Sequence, residues 1–236
     1  MVLFAWNQKE SWAPLVQALD GKRARHRGLI NILPTIYEGV LAYHGCRPAD
    51  VNSYYTAGLL RSNSAALDIR AHEIFSSGEF PEITSAQVES AIAGLGARDN
   101  GSIFAGLDRD HLLAHCGHYM IYGSERLCAI AAALGDDRTR DYRQILKRYG
   151  KPTLFHVALR WEQMTESDVE ALARITSENL SKIRQQKRLS IAFTAFELYD
   201  LLPGSAILTH EHPDRIVDPL LGMTLYEFRR EVHHAL

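Results

Sequence analysis

Two spacings of apolar residues alternate along this chain, one helical and one strand-like, and polar caps or Gly/Pro breaks separate most of the segments. Residues 12–19 read as a short helix and residues 37–44 as a strand. Asp50 caps a further helix that Gly58 stops, and residues 65–75 form another. Thr84-Ser85-Ala86-Gln87 is a capping box that opens a helix running to Leu95 and stopping at Gly96. The middle reads as strands at 102–107 and 118–122, flanking the turn Asp108-Arg109-Asp110. Ser124 caps a helix whose Leu127, Ile130, Ala131 and Leu134 share one face. A charged helix over 137–149, a strand over 153–159, a long helix from Thr165, a strand over 191–199 and a last helix over 224–232 complete the pattern. No repeat or clean linker interrupts it, so the chain reads as one α+β domain over 1–236, with 1–36 as a candidate N-terminal helical extension.

Composition changes this picture little. The 236 residues are 46% hydrophobic and 23% charged, with a formal net charge of −2, so no global basic field points to nucleic acid or an anionic membrane. Three cysteines, Cys46, Cys116 and Cys128, do not make a disulfide framework. Without a basic-then-apolar leader or a run of about 18–20 apolar residues, the expectation is a cytoplasmic protein with no membrane partner.

Three elements carry candidate chemistry. The first is Tyr43-His44-Gly45-Cys46-Arg47, followed after one short helix by Gly58-Leu59. There Gly45 would let a ligand approach the backbone and His44 would offer an orientable donor. The second is His118-Tyr119-Met120-Ile121-Tyr122, which leads into an Ala-rich helix; on a strand, Tyr119 and Tyr122 face opposite ways, so at most one serves a ligand. The third is Glu197, placed by alternation on a face with Ile191, Phe193 and Ala195. A carboxylate on such a face is costly unless paired or functional, and an edge strand wetting Glu197 is the plainer alternative.

Other groups compete with these. His111, His115, Cys116 and His118, with His210-Glu211-His212 further on, are ligand types that suit zinc, but their spacing fits no standard zinc motif. The 210–212 segment reads equally as a polar loop lining a cleft. The basic clusters 22–27 and 182–188 are solvated surface or phosphate contacts, and the second also suits a helix C-terminus. No Walker loop, dinucleotide glycine fingerprint or nucleophile elbow is present.

In this order the motifs resemble the ADP-ribosyltransferase superfamily over residues 37–215. His44-Gly45 with Gly58-Leu59 matches its first motif, Tyr122 or Tyr119 followed by Ala129, Ala131 and Ala132 its second, and Glu197 its third. The related RNA 2′-phosphotransferases share the scaffold with different polar residues. The resemblance implies a split antiparallel or mixed sheet with flanking helices, and NAD as substrate. It also implies transfer of ADP-ribose to a macromolecular acceptor, protein or nucleic acid, as in several toxins. His44, Tyr122 and Glu197 would be catalytic, while His44, Gly45, Arg47, Tyr55, Tyr119 and Tyr122 would hold NAD, with no metal.

The chemistry suits such a set. Breaking the bond to nicotinamide leaves positive charge on the ribose carbon, which a carboxylate stabilises, while a flat ring orients the leaving group. The interval between the first two motifs is longer than in compact members, and no glutamate-any-glutamate pair of the arginine-modifying members lies near Glu197. The acceptor, any inhibitor partner and the choice of Glu197, Glu125 or a residue of 210–212 as third group therefore stay open. So do two rival functions: a silent nucleotide- or RNA-end-binding module, and a zinc-dependent hydrolase.

Overall fold

A computed structural model describes residues 1–21, 25–96, 101–135, 140–187, 189 and 194–228. The chain opens with β1 (Leu3–Phe4), a 3-10 turn at Lys9–Trp12, α1 (Ala13–Ala18) and α2 (His26–Ile36), followed by β2 (Gly39–Cys46). The helices α3 (Asn52–Ala57), α4 (Ser64–Phe75) and α5 (Ser85–Leu95) come next, then β3 (Ile103–Gly106). After α6 (Arg109–His115), α7 (His118–Ile121), α8 (Glu125–Leu134) and α9 (Arg143–Leu146) come β4 (Thr153–Arg160) and α10 (Glu166–Arg184). Last are β5 (Ala195–Leu198), β6 (Ile207–Glu211), β7 (Arg215–Asp218) and β8 (Thr224–Glu227).

The architecture is mixed α+β. The main sheet runs β5-β3-β2-β4-β6 with every neighbour antiparallel, and β1 adds a short parallel pairing to β2. Strand alternation on β2 supplies both of its faces. Val40 and Ala42 join Phe155, Val157 and Leu159 of β4 under α1, α2 and α10. Leu41 and Tyr43 join Leu154 under α4, α5, α7 and α8. Each fully buried Leu or Phe in these layers contributes about 1.5–3 kcal/mol of transfer free energy. Of the N-terminal residues, Phe4, Trp6, Trp12, Leu15, Leu29 and Leu33 are all buried in the first layer.

One edge of β2 is shared by two partners. Its start pairs with β1 at Leu3 and Phe4, whereas β3 is registered to it at a single pair, Tyr43 with Gly106. By contrast β4 follows β2 from Gly39 to Cys46. Beyond Tyr43 the β3 side of β2 is therefore open.

Local signals and tertiary pairing divide the outcome. The box at Thr84 and Gln87, the Ser124 cap and the Thr165 box each begin the helix expected of them. Residues 118–122, expected as a strand, are the helical turn α7, closed by Tyr122 N–H onto the His118 carbonyl at 2.9 Å. Residues 224–227, expected as helix, are β8, because β7 pairs with them from Arg215–Glu227 to Asp218–Thr224; residues 229–232 lie outside the described chain. The helix expected over 137–149 is the short α9, with 136–139 outside the described residues, as are 191–193 of the expected strand 191–199. His210 and Glu211, one reading of which was a loop, belong to β6 through pairing with Phe155 and Leu154.

Candidate functional site

One end of the main sheet gathers most of the polar candidates. Because the strands are antiparallel, the end of β2, the start of β3, the end of β5 and the end of β6 all lie there. His44, Ser102, Glu197, Tyr199, His210 and His212 are thus brought to a common rim.

His44 is half-buried at the point where β2 and β3 part. Its Nδ1 lies 2.8 Å from the Phe104 carbonyl, which would otherwise lack a strand partner on that side. The carbonyl can only accept, so Nδ1 carries the proton and Nε2 keeps its lone pair. Burial pushes the His44 pKa below its ordinary value, outweighing the carbonyl's opposite effect, so the ring is neutral at pH 7.

Glu197 approaches the same strand from its other side. It sits opposite Phe104 in the β3–β5 ladder. Ser102 Oγ donates to its Oε1 at 2.7 Å, and the Tyr199 hydroxyl donates to its Oε2 at 2.8 Å. The two hydroxyls, Ser102 first, hold the carboxyl below the usual range. Of the two readings of Glu197, the wetted edge strand is the one observed. Ala195 beside it is exposed, Phe196 and Leu198 are the buried side of β5, and residues 191 and 193 lie outside the described chain. Among the described residues β5 pairs with β3 alone, so Glu197 faces water from an edge strand.

His44 and Glu197 therefore bond to Phe104 and Ser102, two positions apart on β3. They come from opposite sides of that strand: His44 continues the Val40–Ala42 face, whereas the β3–β5 register puts Glu197 on the other. A ligand touching both must lie over the strand end. Two exposed rings stand beside Glu197, Phe104 and Tyr199, each 52% exposed. Neither ring nor Ser102 was singled out by sequence. Alternation puts Ser102 and Phe104 on one face of their strand, but the carboxylate they meet is set by the register with β5.

Several expected ligand contacts are spent on structure. Tyr122 is 1% exposed, and its hydroxyl donates to Asp218 Oδ2 while accepting from Gln144 Nε2 at 3.3 Å. It cannot stack a nicotinamide ring, because α7 turns it inward under β7. Tyr119 donates to Glu125 Oε1 at 2.6 Å on the α7–α8 corner. Arg47 donates to the carbonyls of Tyr149 at 3.0 Å, Met120 at 3.2 Å and Lys147, satisfying chain ends around α7 and α9. Gly45 is not open to a ligand: an added Cβ would lie 3.1 Å from Met120 Cγ. Gly58, at φ +81°, allows Leu59 to exchange backbone bonds of 2.8 and 3.1 Å with Leu202.

The rim continues across β4. Phe155 lies between His44 and His210 on one face, with Tyr54 stacked on it at 4.9 Å. Tyr55 meets His210 Nδ1 at 2.8 Å. His212 Nδ1 lies 2.8 Å from the Pro152 carbonyl. Glu211 turns the other way and is held by Arg109 at 2.7 and 2.9 Å and by His156 at 3.2 Å, with Arg109 foremost in depressing its pKa. The His111 and His115 rings are 4.6 Å apart on α6. Among the described residues no group of three or more His, Cys, Asp or Glu side chains is placed to hold a metal ion. No described helix is long and apolar enough to cross a membrane.

Compared with known protein families, curated proteins and solved structures, the chain shows no match.

Proposed function

We propose that this chain has a core of ADP-ribosyltransferase type and transfers ADP-ribose from NAD to a macromolecular acceptor, with NAD lying across the end of β3. The observation that carries the reading is the convergence on β3: His44 bonds to Phe104 and Glu197 to Ser102, so an oriented imidazole and an ionised carboxylate flank one strand end. In this arrangement Nε2 of His44 accepts a ribose hydroxyl and fixes the sugar. Glu197 faces the ribose carbon as the bond to the nicotinamide nitrogen breaks. Its negative charge stabilises the developing cation. The acceptor nucleophile then bonds to that carbon and loses its proton, while nicotinamide leaves as the neutral base. Phe104 or Tyr199, rather than the buried Tyr122, supplies the flat surface for nicotinamide.

Nicotinamide release from NAD by the purified chain tests this reading. Glu197→Gln is expected to lower the rate about 100-fold or more, on the scale of losing a charge-stabilising group, and His44→Ala to lower it less. Release that is absent from the wild type, or equal in the wild type and Glu197→Gln, overturns the proposal.

A further inference from the structure

Two basic stretches far apart in sequence meet at one corner. α2 packs along α10, and Arg184 Nη1 reaches the Gly21 carbonyl at 3.5 Å, so the start of α2 adjoins the end of α10. Gln186, at φ +54°, turns the chain so that the Lys187 N–H bonds back to the Lys182 carbonyl at 2.8 Å. Arg25, Arg27, Arg184 and Lys187 are exposed there, beside the half-buried Lys182. Asp20 and, one turn before Lys182, Glu178 are the acidic residues at this end, against the five cations; Glu166, Asp168 and Glu170 lie in the first turns of α10, at its other end.

Local stability accounts for only half of this corner. Lys182 and Arg184 suit the negative end of α10. Arg25 and Arg27 stand at the positive end of α2, which has no acidic residue in its first turn and no side-chain cap. There the helix dipole opposes them. Among the described residues no hydrogen bond or ion pair engages the side chains of Arg25, Arg27 or Lys187.

α10 packs against the buried side of β5, Phe196 and Leu198, and Glu197 stands on the other face of that edge strand, ten positions beyond Lys187 and so at most about 35 Å from it. Around Glu197 the surface changes character: Phe104 and Tyr199 are exposed, and Leu60 and Leu201 flank the Leu59–Leu202 bridge. Cations that reach phosphates, followed by open aromatic faces beside the reacting carboxylate, are what a flexible strand of nucleotides needs.

We infer that the acceptor is a single-stranded nucleic acid, its phosphates on Arg25, Arg27 and Lys187 and a base on Phe104 or Tyr199 next to Glu197. This rests on the transferase reading above. The test is fluorescence anisotropy of labelled mixed-sequence DNA and RNA single strands with the full chain at about 50 mM salt, alongside nicotinamide release without any acceptor. Binding is expected to weaken with salt and to fall at least ten-fold in the Arg25→Glu, Arg27→Glu, Lys187→Glu triple variant. The salt slope should drop by about 2 as three phosphate contacts are lost. The milder Gln triple variant should move the same way by less, and Phe104→Ala should weaken binding with the slope unchanged. Label from NAD should appear on the strand.

Nicotinamide release without strand binding overturns this inference and leaves the transferase reading standing. So does equal binding by the Glu triple variant, or label found on added protein but not on the strand. Strand binding at the corner with no nicotinamide release under any condition overturns both.

Discussion

Two tyrosine–carboxylate pairs in this protein share one hydrogen-bond chemistry and differ in everything around it. Tyr199 donates to Glu197 on an edge strand, with Tyr199 52% exposed. Tyr122 donates to Asp218 with both residues 1% exposed. In the second pair the bond removes a cost, since a carboxylate oxygen without a partner is expensive in the interior. In the first, water could satisfy either group, so the bond adds little to folding. Its effect is to hold a charged carboxylate in one orientation beside Phe104. A tyrosine near a carboxylate is therefore no signature of a site; what surrounds the pair decides.

Substitutions should separate the two pairs. Tyr122→Phe leaves Asp218 Oδ2 buried without its donor, although Oδ1 keeps the Leu220 N–H at 3.0 Å. The expected loss is about 1–3 kcal/mol of stability in denaturant unfolding, with nicotinamide release unchanged at temperatures where the variant is folded. Tyr199→Phe should change stability by less than about 0.5 kcal/mol. Instead it should move the acid limb of nicotinamide release to higher pH, because one of the hydroxyls depressing the Glu197 pKa is gone. If Tyr199→Phe destabilises more than Tyr122→Phe, the contrast between a structural and a functional pair fails.

A smaller effect sharpens the comparison through pH. His44, His111, His118 and His210 all have pKa values below the ordinary His value, with burial the leading cause. A group with a lowered folded pKa takes up its proton more readily when unfolded, so folding stability falls as pH drops through about 6.5. Glu197, Glu211 and Asp141 are also lowered, but their contribution is lost only on acidification through the carboxylate range. Urea unfolding at pH 8 and pH 5.5 therefore isolates the histidines, with lower stability expected at pH 5.5. The opposite sign would mean that these rings gain charge partners on folding.

How much of this was legible depended on whether a signal was local. Thr84 and Gln87, Ser124, Thr165 and Gly58 act within one turn of the chain, and each one fixed its helix end as the sequence implied. His44 and Glu197 were legible as polar residues near strand ends, because an imidazole beside glycine and a carboxylate among aromatics stand out. Which reading of Glu197 would hold was not, since it faces water because, among the described residues, nothing covers the face it shares with Ala195 and Phe104. Tyr122 misled because one tyrosine per face is sensible on a strand, whereas the Gly117–Gly123 segment closes a helical turn. Arg47 and Gly45 were taken up by α7, α9 and Met120, partners distant in sequence. Ser102 and Phe104 became visible only through the register that sets Phe104 against Glu197.

Amide hydrogen exchange with and without NAD shows whether NAD lies across the end of β3 between His44 and Glu197. Slowed exchange is expected at Ser102–Phe104 and Glu197–Tyr199, lost in Glu197→Gln, with the Tyr119–Tyr122 segment unchanged. Protection confined to 119–122, or none at the β3 and β5 ends at saturating NAD, would contradict it.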